Sequence, residues 1–217
     1  MQRLQTKTLK TTLSLAEAGT VAAICFGLFI LFAVQAATAG FPEARFSDEG
    51  NASIVGLELV LASCALIYLH LRGFDIASLY PTPTVKDSVI GTGVAVLAWV
   101  ACVAVVLLYE TPGQADKVAF SFEGVSALAG VALALVNGTY EEVFLLGVLT
   151  RGLRSFGLSA AVGVPLLVRL LYHVYQGPLG LVTVSVAGLA MTLAYLVTGR
   201  LWPSVLAHIL LDLTPLL

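Results

Sequence analysis

Seven apolar runs, most of them about as long as a bilayer is thick, divide this chain of 217 residues. They cover residues 18–39, 54–71, 89–109, 125–149, 158–175, 179–197 and 201–217. About 20 consecutive apolar residues make a helix long enough to cross the hydrocarbon core. Lipid offers no water to satisfy a backbone N–H or C=O, so only helices and closed barrels span it. Barrel strands would be short and alternating, and these runs are long and continuous. The runs therefore predict an all-α protein, a polytopic transmembrane helical bundle of about seven spans in a single membrane domain over residues 1–217. The seventh run is short for a full span. Composition agrees, with 59% hydrophobic and only 11% charged residues, where a soluble domain carries about a quarter charged.

The basic residues test the segmentation. With the N-terminus cytoplasmic and the sides alternating, Arg3, Lys7, Lys10, Arg72, Lys86, Arg151, Arg154 and Arg200 fall on the inner side, and only Arg45 and Lys117 on the outer. Short cytoplasmic loops are expected to show this bias. Residues 1–17 read as a cytoplasmic tail. Ala37-Thr38-Ala39 resembles a cleavage site, but the run before it is long for a signal peptide and more spans follow. The expected setting is a cell membrane, bacterial and multi-pass, with the lipid bilayer as one partner. No basic tract tracks a phosphate backbone, so nucleic acid is not expected. Cys25, Cys64 and Cys102 sit one per run and read as small buried hydrophobes.

Ionisable groups inside spans are costly, about 2.5 to 3.5 kcal/mol each on the mildest scale. This chain keeps Glu58, Glu141, Glu142, Arg169, His173, His208 and Asp212 in its runs. Glu58 falls in the first turns of its run and reads as interfacial. Glu141 and Glu142 are adjacent, hence about 100° apart on a helix. One can face a cavity while the other holds a neighbouring helix. Asn137 shares the face of Glu141. Gly138 lies a turn before Glu142, leaving space for a water or substrate to approach it. Arg169 and His173 are four apart on one face, with Tyr172 beside them, and His208 and Asp212 are likewise four apart.

A carboxylate in a semi-dry pocket can serve as general base and then acid. A histidine can donate to an oxyanion or orient water, and Asp212 can fix the tautomer of His208. This set suits addition of water to a peptide carbonyl. Two histidines and carboxylates can also bind a divalent ion. The chain has no His-Glu-x-x-His motif, and the expectation is no metal and no cofactor.

Three segments carry a resemblance: Glu141-Glu142-Val143-Phe144-Leu145-Leu146-Gly147, then Arg169-Leu170-Leu171-Tyr172-His173-Val174-Tyr175-Gln176-Gly177-Pro178, then Leu201-Trp202-Pro203-Ser204-Val205-Leu206-Ala207-His208-Ile209-Leu210-Leu211-Asp212. In their order and spacing the chain resembles the CPBP family, Abi or bacteriocin-immunity-like relatives of the CAAX prenyl endopeptidase Rce1. The part resembling that core is 124–217. The resemblance implies an intramembrane glutamic endopeptidase acting on a peptide or membrane-protein substrate. It implies Glu141, Glu142, His173, His208 and Asp212 as catalytic residues, with Arg169, Tyr172 and Asn137 supporting. In the family mechanism a Glu activates water and the histidines stabilise the oxyanion. The eukaryotic substrate class, prenylated C-terminal peptides, is not carried over.

Two positions depart from the family pattern. Leu146 stands where the family usually has Arg, and Arg169 where it usually has Phe. Arg169 is expected to restore the charge by pairing with Glu141, which leaves Glu142 free as base. The alternatives are a catalytically weak or inactive protein of the same fold, acting in immunity or as a scaffold, and a proton-coupled transporter.

Overall fold

The computed structural model describes residues 9–109, 120–122 and 124–216. Arg3, Lys7 and Lys117, which entered the charge argument, lie outside the described residues. Among the described residues, seven helices account for the seven apolar runs: α1 Leu15–Thr38, α2 Asp48–Leu71, α3 Val85–Tyr109, α4 Ala127–Glu142, α5 Leu158–Tyr172, α6 Gly177–Thr198 and α7 Trp202–Asp212. α4 continues without a break into a π-helical stretch, Val143–Thr150. Strands β1 Ala44–Arg45 and β2 Phe120–Ser121 pair in parallel.

α1 starts where its sequence caps it. Ser14 Oγ accepts from the Glu17 N–H at 3.2 Å, and Glu17 Oε2 accepts from the Ser14 N–H at 3.0 Å, a reciprocal box that satisfies two orphan donors. Glu17 also receives Lys10 Nζ at 2.6 Å and Arg72 Nε at 2.8 Å, tying the entry of α1 to the end of α2. The Leu13 N–H donates to Gly152 O at 2.9 Å, Arg151 donates to Ser78 Oγ at 2.6 Å, and Arg200 pairs with Asp87. Lys10, Arg72, Arg151 and Arg200 are thus gathered at one end of the bundle. At the other end Arg45 lies on β1, and Asp48 Oδ1 accepts from the Ser126 N–H at 2.7 Å.

The expected seven runs appear as helices of unequal length. Among the described residues, five helical stretches are long and apolar enough to cross a membrane: α1, α2, α3, residues 127–150 and residues 174–198. α5 has 15 residues and α7 has 11. Fifteen residues rise roughly 22 Å, against a hydrocarbon core of about 30 Å. Both short helices start at the basic end and stop at depth. Pro165 does not interrupt α5; it is buried within it, as lipid-embedded helices tolerate when neighbours compensate. Large apolar side chains such as Leu31, Leu59, Ile67, Leu97, Leu107 and Val197 are exposed around the outside. A belt of that extent matches a lipid surface. This is a multi-pass membrane protein.

α7 is seated by α3. A Cβ on Gly91 would come 2.7 Å from Pro203 O, and Trp202 Nε1 donates to Ser88 Oγ at 2.8 Å. Small residues permit such close helix approach in membranes. Cys25 is buried and Cys102 half-buried, whereas Cys64 is exposed; all three are free. The reading of Cys64 as buried fails because its side chain turns toward lipid, where a small apolar group is equally at home.

Candidate functional site

The end of α4 meets the ends of α5 and α7 at mid-depth. From Arg151 back to Glu142 is nine residues, most of them in the π-helical stretch, and from Gly157 to Arg169 is twelve, roughly 18 Å of α-helix. Because α5 stops at Tyr172, its last turn stays level with the glutamates rather than passing them.

Glu142 is fully enclosed, at 0% exposure. Its Oε1 accepts from Arg169 Nη2 at 2.5 Å and lies 2.7 Å from His208 Nδ1. A carboxylate only accepts, so this contact puts the ring proton on Nδ1. Glu141 lines the cavity and takes the hydroxyl of Tyr172 on Oε2. That oxygen is 3.7 Å from Arg169 Nη1 and 3.8 Å from His208 Nε2. The expected division of labour is present, one carboxylate at a cavity and one holding neighbouring helices, but the assignments are exchanged. Arg169 binds Glu142 closely, not Glu141, and Glu142 is not the free carboxylate. Gly138 does not open a path to Glu142 either. A Cβ there would lie 3.0 Å from Ile209 N, so the glycine admits α7.

Arg169 itself is 4% exposed. Gly188 on α6 makes its room, since a Cβ at that position would stand 2.9 Å from Arg169 Cδ. Leu146 is buried in an apolar cluster with Tyr195, Leu201, Val205 and Ile209. The guanidinium therefore reaches the glutamates from α5, while the position expected to carry it on α4 packs with hydrocarbon.

The other predicted residues converge on the same place. His173 Nδ1 lies 2.9 Å from Arg169 O; a carbonyl only accepts, which leaves Nε2 as the ring's free acceptor when neutral. Asp212 Oδ1 stands 3.5 Å from His208 Nε2, and Asp212 Oδ2 accepts from Asn137 Nδ2 at 2.9 Å. The expectation that Asp212 fixes the His208 tautomer is corrected: Glu142 makes the close contact, on Nδ1. Tyr172 is clamped from the far side by Phe26, whose ring stacks on it at 5.0 Å, and Tyr140 donates to Cys25 O at 2.6 Å. α1 is thus built into the floor of the site.

A cavity of about 1050 Å³ joins Glu141, Asn137, Arg169, Tyr172, His173, His208 and Asp212. Its upper wall contains Arg45, Phe46, Phe120 and Phe122, next to the β1–β2 pair. Sequence reading missed one member. Glu58 is not interfacial: it is 2% exposed, lies in the middle of α2 and lines this cavity. Its apolar run begins at residue 54, but the helix begins six residues earlier, at Asp48. That offset carries Glu58 from an apparent helix end to mid-span.

Ligand atoms of Glu141, Glu142 and His208 all lie within 4.8 Å of one another, close enough to share a cation. The fit is poor. Glu142 Oε1 is already engaged by a guanidinium and an imidazole N–H, and a positive charge at 2.5 Å opposes a second one.

Residues 123–214 match the family model described as type II CAAX prenyl endopeptidase Rce1-like. Nothing among the curated proteins or the solved structures matches this chain.

Proposed function

We propose that this chain, whose residues 123–214 match the Rce1-like family model, is an intramembrane endopeptidase of that kind, using glutamate-activated water without a resident metal. The observation that carries this reading is the unequal pair: Glu142 is locked by Arg169 and His208, while Glu141 borders the cavity.

Glu141 is the general base. It takes a proton from water as the water oxygen attacks the peptide carbonyl, and Tyr172 holds its carboxylate in place. His173 Nε2 is a second acceptor for the same water. His208, with Nδ1–H held by Glu142, directs Nε2–H when doubly protonated toward the side where Glu141 and Asp212 converge, and there it meets the charge developing on the carbonyl oxygen. Protonated Glu141 then returns its proton to the amine as the C–N bond breaks. Arg169 and Glu142 keep the two catalytic helices in register.

Incubating purified protein with a library of apolar peptides tests the proposal. Cleavage is expected, with water-derived oxygen in the new carboxylate when the reaction runs in ¹⁸O-water. A protein that binds but never cuts would favour the inactive, scaffold-type reading, for which Leu146 in place of arginine is the motivating feature. Elemental analysis of the active protein is expected to find no stoichiometric divalent ion. A bound ion lost together with activity on chelation would overturn the metal-free mechanism.

We further place the protein in a cell membrane with the end holding Lys10, Arg72, Arg151 and Arg200 facing the cytoplasm. Cysteines introduced at Ser47 and Ser155, in a chain lacking the three native cysteines, report the orientation. Only the Ser47→Cys variant is expected to react with an impermeant reagent on intact cells; reaction at Ser155→Cys reverses the assignment.

A further inference from the structure

Resting on the peptidase reading, we propose that Glu58 is a specificity-determining residue, a subsite that receives a basic side chain of the peptide substrate. Glu58 is 2% exposed, and its Oε2 has no hydrogen-bond partner among the described residues. About two turns nearer the start of α2, Asn51 is also 2% exposed, and its Oδ1 likewise has no partner among the described residues. Both residues line the cavity that contains Glu141. Leaving a buried carboxylate oxygen unmet is expensive, more so in lipid than in a soluble core. Among the described residues, neither arginine that lines the cavity serves it. Arg169 is committed to Glu142, and Arg45, at the cavity's upper wall, pairs with Glu43 at 2.6 Å.

Two buried acceptors without donors, on the wall of a cavity meant for a peptide, call for donors from the peptide. The cavity gives a long basic residue what it needs. Phe26, Phe29 and Trp99 line it with apolar and aromatic surface for the aliphatic stem, and Glu58 waits for the head group. Asn51 and Glu58 are seven residues apart, roughly 10 Å along α2. An extended peptide covers that distance in about three residues. A substrate lying along α2 with lysine or arginine at Glu58 therefore brings a main-chain N–H to Asn51 three positions away. Glu58 does not touch the reacting atoms in this arrangement; it fixes which residue sits a set distance from the scissile bond.

The test uses full-length protein carrying Glu141→Gln, so that bound peptides are not consumed. A fluorescent apolar peptide is scanned with lysine, and with its uncharged isostere norleucine, at successive positions. Binding at one register is expected to be about tenfold tighter for lysine than for norleucine. Adding Glu58→Gln is expected to erase that ratio, and adding Glu58→Asp to retain part of it. If no register prefers lysine, or if the preference survives Glu58→Gln, the subsite does not exist. The lysine scan alone decides the first point, so a poorly folding Glu58 variant cannot hide the answer. If the lysine preference is found but the Glu141 protein cuts none of the same peptides, the subsite stands and the peptidase reading falls.

Discussion

Arg169→Leu is expected to cost about 3 to 5 kcal/mol of stability, the loss typical when one partner of a buried ion pair is removed. The guanidinium cannot give up its charge. Glu142, at 0% exposure, would be left with only His208 Nδ1 as close partner on Oε1. Its Oε2 already lacks a hydrogen bond among the described residues, so no second donor stands ready. The geometry also says which carboxylate the effect runs through. In a double-mutant cycle read by thermal stability in detergent, Arg169→Leu should couple strongly to Glu142→Gln, at 2.5 Å, and weakly to Glu141→Gln, at 3.7 Å. Equal coupling to both, or additive losses throughout, would remove Arg169 from the site's architecture.

Peptide hydrolysis should fall roughly 10²- to 10⁴-fold in Glu141→Gln, the range general-base catalysis commonly supplies, with little change in melting temperature. Glutamine keeps an oxygen that can accept from Tyr172 and loses only the basicity. Glu142→Gln should behave differently, losing stability together with activity because it removes the buried negative charge that Arg169 is paired with and that holds His208. A Glu141→Gln protein that cleaves at the wild-type rate would rule out the assignment. The contrast between the two variants is sharper than either result alone. Two chemically identical neighbours in sequence are predicted to fail in distinguishable ways.

The helices, and which ionisable residues gather at the candidate site, were largely readable from the chain, for definite reasons. Lipid forces long apolar runs, and inside such runs every Glu, Arg or His is conspicuous. What could not be read was the pairing among them. Arg169 shares a helix face with His173, and that much brought it to the right pocket. Whether it meets Glu141 or Glu142 depends on the rotation of α4 against α5, and on Gly188, whose missing side chain gives the guanidinium its room. Neither leaves a trace in spacing. Glu58 was misjudged for another reason. Asp48, Glu49 and Asn51 are polar, so the start of α2 looked like loop, and a mid-helix acid was taken for a terminal one. Hydropathy marks where lipid begins, and α2 extends beyond that boundary. The lengths of α5 and α7 were similarly hidden, since apolar residues continue past the points where the helices end.

Those two short helices have a consequence for traffic. Because α5 and α7 rise from the basic end and halt beside the glutamates, they act as a plug beneath the reaction chamber. On the peptidase reading, Arg45, Phe46, Phe120 and Phe122, which line the cavity away from those helix ends, stand where a substrate would enter and both products would leave. The chemistry is then expected to be vectorial, with the compartment that reaches Ser47 supplying the peptide.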